Sequence, residues 1–198
     1  MANKKNLKQG LYHPKNEHDS CGVGFIANIH GIKSHRIVQQ GLEILTNLTH
    51  RGATGYDPKL GDGAGLLIQI PDDFFRNETR PLKIELPEVG HYGIGMVFLP
   101  QLKSAREKCE AIILKIVEEE QQASLGWRGV PVNNNNIADA ARDVEPVIKQ
   151  IIIRRNKNCT SQDEFERKLF IIRKRIEIEV NSLGIDDPAK FYITSMSS

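Results

Sequence analysis

Apolar residues along this chain fall into short blocks of two different periods, separated by glycine- and proline-rich breaks. Residues 1–20 show neither period: they are polar, Lys-rich and interrupted by Pro14, and they read as an extended leader. Over 21–29, Val23, Phe25 and Ala27 alternate with Gly24, Ile26 and Asn28, which predicts a strand with both faces covered. The period changes at Ser34. Ile37, Val38, Gly41, Leu42, Leu45 and Leu48 then recur at three- and four-residue spacings, the face of an amphipathic helix. A second apolar strand is predicted over 64–70, followed by a short helix opening at 71–75, where Asp72 and Asp73 suit the positive end of a helix dipole.

Residues 91–99 form a third strand candidate closed by Pro100. A helix over about 104–122 places Ala105, Cys109, Ile112, Ile113, Ile116 and Val117 on one side, so Cys109 is expected in the core. A short strand over 125–132 and a polar loop over 133–136 come next, then a β-branched strand over 147–154. Ser161 with Glu164 three residues on is a capping box for a helix to about residue 183, with Gly184 as its C-terminal cap. A last strand begins at 191. The resulting order of strands and helices predicts one layered domain of α and β elements. Stopping on a strand is equally compatible with an edge strand and with a piece of a larger protein.

Composition changes this picture little. The chain has 198 residues, 39% hydrophobic and 26% charged, which fits an ordinary globular domain able to bury a core. A formal net charge of +2 gives no reason to expect nucleic acid or an anionic membrane as partner. The basic runs 154–157 and 173–175 read as solvated faces, the second being interleaved with Glu164, Glu166, Glu177 and Glu179, and Trp127 and Tyr192 stand alone and suggest no stacking platform. Three widely spaced cysteines, at 21, 109 and 159, suggest neither a disulfide framework nor a paired zinc motif, and point to a reducing compartment. No apolar run approaches the ~20 residues a membrane helix needs.

Two stretches carry candidate chemistry. Cys21 opens the first predicted strand, and cleavage before it would put its thiol beside a free α-amino group, a nucleophile with its own base. Read from its position alone, Cys21 is more simply a small buried residue at a strand start, and the rest of the chain has to shift that balance. The other stretch is the loop over 50–63, whose glycines at 52, 55, 61 and 63 permit unusual backbone angles and close approach to a ligand. Arg51 in it is a candidate fork for a substrate carboxylate or, alternatively, a structural tie to backbone carbonyls. Asp62 reads as a brace of the loop. Gly22, Gly24 and Ala27 match the loose dinucleotide pattern, but no strand precedes them and no helix opens at them, so a phosphate site is not expected. His13, His18, Asp19 and Cys21 match no tight metal-ligand spacing.

Taken together, residues 21–27, 50–55 and 57–65 closely resemble the glutaminase domain that opens the large subunit of the glutamate synthase family, a class II glutamine amidotransferase of the N-terminal nucleophile hydrolase type. The insertion Thr54-Gly55-Tyr56-Asp57-Pro58-Lys59 disfavours an asparagine- or glucosamine-forming relative. The resemblance implies an α+β fold, a four-layer αββα sandwich, incomplete at the C-terminus. It implies that residues 1–20 are a propeptide and that 21–198 are the N-terminal part of the amidotransferase domain. Cys21 would be the nucleophile and its α-amine the base; Arg51 and Gly52 would bind glutamine, with Gly61, Asp62 and Gly63 shaping the loop. No cofactor or metal is implied for this stretch. FMN, an iron–sulfur cluster, the synthase domains and a small reductase subunit or ferredoxin would belong to regions beyond position 198, as would an oxyanion hole worth ~10²- to 10³-fold in rate. A cytoplasmic location and weak or absent activity of the stretch alone are the accompanying expectations, a non-catalytic binding remnant or another class II amidotransferase the alternatives.

Overall fold

A computed structural model of the chain describes residues 22–51, 59–61, 63–185, 187 and 189–198, with Arg51 described by its backbone. The chain divides into two units, 1–67 and 68–198.

In the first unit the helix expected from Ser34 forms as α1, His35–Asn47. Ser34 caps it by accepting a hydrogen bond from the Arg36 N–H, supplying one of the partners that the first turn lacks. The predicted strands over 21–29 and 64–70 do not form: residues 22–28 and 63–70 have no strand pairing. Their apolar sequences are what a doubly covered strand requires, but a strand exists only through a ladder of hydrogen bonds to a neighbour. Without that neighbour Val23, Phe25 and Leu67 stay 84–90% exposed. The turn after the first segment is real, with Asn28 Oδ1 accepting from the His30 and Ile32 N–H groups and Gly31 at φ +67°.

The second unit begins with α2, Asp72–Thr79. It then alternates β1 (Tyr92–Leu99), α3 (Lys103–Glu119), β2 (Ala123–Gly129), the short α4 (Asp139–Arg142), β3 (Val147–Arg154), α5 (Gln162–Ser182) and β4 (Tyr192–Ser197). The four strands make one antiparallel sheet in the order β2-β3-β1-β4, with Tyr92 opposite Arg154 and Leu99 opposite Val147 at the two ends of its central pair.

Alternation along the strands sends residues to opposite faces. Val97, Leu99, Ile151, Ile153 and Ile193 meet α3 and α5 through Cys109, Ile113, Phe165, Leu169 and Ile176 in the main core. Tyr92, Ile94 and Ile152 form a smaller cluster with Phe75 of α2 on the other side. Across α3 and α5, Glu120 takes hydrogen bonds from Lys168 (2.9 Å) and Arg175 (2.8 Å), and Glu119 pairs with Arg175.

Cys109 is wholly buried, as its helical spacing required, and desolvation with the nearby Glu110 and Asp187 charges pushes its thiol up to about 11. The capping box at α5 forms in a shifted version. Ser161 Oγ accepts from the Glu164 N–H, but the Glu164 carboxylate reaches back to the N–H and hydroxyl of Thr160. Gly184, at φ +59°, follows the helix as expected.

Candidate active site

Of the residues assigned to the site, Cys21, Gly52 and Asp62 lie outside the described residues, as do the leader 1–20 and Gly55. Arg51 is placed by its backbone alone, and Gly61 and Gly63 are described and exposed. What the structure supplies is the frame that carries these positions, and α1 is its centre.

Two close approaches fix the chain against α1. A Cβ added at Gly24 would stand 2.6 Å from Ile44 Cγ2, so the segment that follows Cys21 lies directly on the second half of the helix. A Cβ at Gly41 would stand 2.7 Å from Leu66 Cδ1, which brings the segment after the glycine-rich loop onto the same helix one turn earlier. Gly41 is accordingly the one buried residue of α1. Ile44 was not on the apolar face read from the sequence, whereas Leu42, which was, is 52% exposed. No periodicity signals a residue whose neighbour is a glycine in an unpaired segment.

The end of α1 sets the start of the loop. Leu48 donates to the Ile44 carbonyl at 2.9 Å, and Thr49–Arg51 continue as a turn of 3-10 helix. Thr49 Oγ1 donates to the Thr46 carbonyl, and His50 Nδ1 lies 2.9 Å from the Asn47 carbonyl. Both side chains tie up carbonyls that a helix end otherwise leaves unmatched. The backbone of Arg51 therefore emerges from a hydrogen-bonded helix terminus.

Gly63 and its neighbour Gly65 show no need for glycine within the described residues. Neither has a backbone angle in the left-handed region, and a Cβ at either position would meet nothing within 4 Å. Unusual backbone angles are therefore not the reason for glycine at 63. Open space beside the chain is what close approach of a ligand requires.

The two described cysteines do not add to this site. Cys159 is buried and desolvation raises its pKa, as for Cys109, so neither thiol is an available nucleophile. No group of three His, Cys, Asp or Glu residues able to hold a metal occurs among the described residues. Nor is any helix there long and apolar enough to cross a membrane.

The class-II glutamine amidotransferase family matches residues 21–198, its first matched position being Cys21. The chain belongs to this family. Among curated relatives, the glutamate synthase [NADPH] large chain of Bacillus subtilis is 46% identical over 190 residues, which is 96% of this chain and 12% of that protein. The corresponding large chain of Azospirillum brasilense is 40% identical over 188 residues, 94% of this chain and 12% of the relative. Ferredoxin-dependent glutamate synthase 2 of Synechocystis is 40% identical over 181 residues, 91% of this chain and 11% of the relative. The chain thus spans about an eighth of the length of the relatives it matches. These relatives are named as glutamate synthases, and the α+β architecture of this chain with its antiparallel sheet is consistent with a class II amidotransferase domain.

Proposed function

We propose that this chain supplies the glutamine-hydrolysing half-reaction of a glutamate synthase, with Cys21 as nucleophile. The observation that carries the proposal is the family match over 21–198 together with the identity to glutamate synthases. The start of that match at Cys21 supports the removal of residues 1–20 as a propeptide.

In the proposed reaction the α-amine freed at Cys21 takes the thiol proton and the sulfur attacks the side-chain amide carbon of glutamine. The proton passes to the leaving nitrogen, the carbon–nitrogen bond breaks, and ammonia departs from a γ-glutamyl thioester. Water, deprotonated by the same amine, cleaves the thioester to glutamate and restores the thiol. Arg51 would pair its guanidinium with the substrate α-carboxylate, and Gly52, Gly61, Asp62 and Gly63 would shape the loop beside it. Ammonia would then be delivered for transfer to 2-oxoglutarate in other domains, with a small reductase subunit or ferredoxin as electron donor.

FMN and the iron–sulfur cluster of such an enzyme are assigned to those other domains. An iron–sulfur cluster does not fit the described residues here, since they offer no metal-holding cluster and both described thiols are core residues. The four-layer sandwich is the proposed complete architecture. It is supported by the second face of the sheet, where Met96, Phe98 and Ile148 are only half buried and Tyr192 is 45% exposed, a surface a second sheet would cover. Two buried free thiols fit a reducing compartment such as the cytoplasm.

The test is mass spectrometry combined with a glutaminase assay on the full protein. Mature chains should begin at Cys21, and Cys21→Ser should abolish glutamine hydrolysis while leaving ammonia-dependent glutamate formation. Glutamine hydrolysis by a chain that retains Met1, or by the serine variant at the parent rate, refutes the proposal.

A further inference from the structure

The basic run 154–157, read from the sequence as a solvated face, has a different setting in the structure. Arg154, Arg155 and Lys157 line a cavity of about 600 Å³ at the end of β3, with His91 and Glu88 also in its wall. That volume lies within the range of small-molecule sites, roughly 300–1,000 Å³. No Phe, Tyr or Trp lines it, so there is no platform for stacked bases.

Three cations gathered on one concave wall and one unmet hydrogen bond mark this cavity. Several cations of the unit are matched: Arg128 pairs with Glu78, Lys149 with Glu110, and Lys168 and Arg175 with Glu120. Among the described residues no carboxylate pairs with Arg154, Arg155 or Lys157, and Glu88 is the single acid in the lining. The polar side chains behind the cavity are satisfied. Gln122 accepts from the Asn156 N–H and donates to the Glu120 carbonyl, while Asn156 donates to the Gln121 carbonyl. His91 is the exception, its Nδ1 being buried without any hydrogen-bond partner. A buried polar atom without a partner is uncommon, and here it marks the wall where hydrogen bonding among the described residues is incomplete. The backbone joins these groups rigidly, because the Arg155 N–H donates to the His91 carbonyl at 2.9 Å.

We propose that this cavity binds a small multivalent anion of the phosphate or dicarboxylate class. Guanidinium groups make paired charge-assisted bonds to either, the lysine adds a point charge, and the His91 ring offers a further donor. The site is independent of Cys21 and of glutamine hydrolysis.

Titration of the 198-residue chain with inorganic phosphate and, separately, with succinate tests this at constant ionic strength, which removes general screening. Calorimetry reads the binding, and nitrogen-resolved NMR reads the His91 imidazole. Saturable binding of at least one probe is expected, with a shift of the His91 ring, and Arg155→Gln with Lys157→Gln should weaken it about tenfold or more, the loss of one or two charge-assisted bonds. Phosphate binding without succinate binding assigns the site to phosphate-bearing ligands, and the reverse to dicarboxylates. Should the double variant fail to fold, the His91 ring of the parent chain decides: a saturable shift upholds the site. No saturable binding of either probe, a His91 ring unmoved at saturation, or unchanged affinity in a folded double variant overturns it.

Discussion

Gly24 lies so close to Ile44 that a Cβ at position 24 would stand 2.6 Å from Ile44 Cγ2. The contact joins the segment that follows the candidate nucleophile to the helix that leads into Arg51. Ile44 is β-branched and held by its own helix, so it cannot swing aside cheaply. Gly24→Ala is expected to destabilise the chain by about 1–3 kcal/mol, as overpacking does. Gly41→Ala is the control, because the atom it would meet is the far end of the flexible Leu66 side chain, at 2.7 Å. Replacing a helix-interior glycine returns up to about 1 kcal/mol, so this variant should be neutral or slightly stabilised. Urea unfolding followed by circular dichroism separates the two.

Gly63→Ala and Gly65→Ala distinguish a structural glycine from one that makes room for substrate. With no described residue within 4 Å of either Cβ, both variants should keep the parent stability within roughly 0.5 kcal/mol, as surface changes do. If the loop borders glutamine, Gly63→Ala should raise KM for glutamine in the full protein about tenfold, the consequence of ~1.4 kcal/mol of lost contact. An unchanged KM would remove Gly63 from the binding loop.

Glu120 links α3 to α5 and gives the fold an acid sensitivity of known sign. Hydrogen bonds from Lys168 and then Arg175 hold its carboxyl below the usual carboxylate range. A pKa lowered on folding means that the contribution is fully present above the unfolded value of about 4.3. It disappears as pH falls through the lower folded value. Melting temperature measured from pH 6 down to pH 2 should therefore drop less steeply in Glu120→Gln than in the parent, and the variant should be the less stable of the two at pH 6.

Thiol labelling tests which cysteine is available. Cys109 is wholly buried with its pKa pushed up to about 11, and Cys159 is buried with its pKa raised by desolvation. Native chain treated with iodoacetamide at pH 8 should carry the label on the Cys21 peptide, with the other two modified only after denaturation. Rapid native labelling of Cys109 would contradict the core packing described for α3.

Asp187 anchors the entry to α3 from a distant part of the chain. Its carboxylate accepts from the N–H groups of Gln101 (3.2 Å) and Leu102 (2.9 Å), and from that of Ala189 (2.9 Å). Asp187→Ala should cost about 1–3 kcal/mol by leaving these donors short of a partner, and amide hydrogen exchange at Leu102 should accelerate.

Local sequence was sufficient wherever a local rule decides the outcome. Period and caps placed α1 behind Ser34 and α5 behind Ser161, the β-branched run made β3, and the helical spacing of Cys109 put it in the core. The amidotransferase family was equally legible, because residues 21–27, 50–55 and 57–65 closely resemble it, and the family match covers 21–198. Tertiary structure decided the rest, for reasons of pairing and neighbourhood. Residues 22–28 and 63–70 have the composition of strands but no ladder, since a strand is completed by a second strand and not by its own residues. That Gly24 meets Ile44, that Gly41 meets Leu66, and that Arg154, Arg155 and Lys157 share a cavity with His91 are contacts between residues far apart in sequence. No periodicity encodes them, because each depends on where the chain returns after a turn.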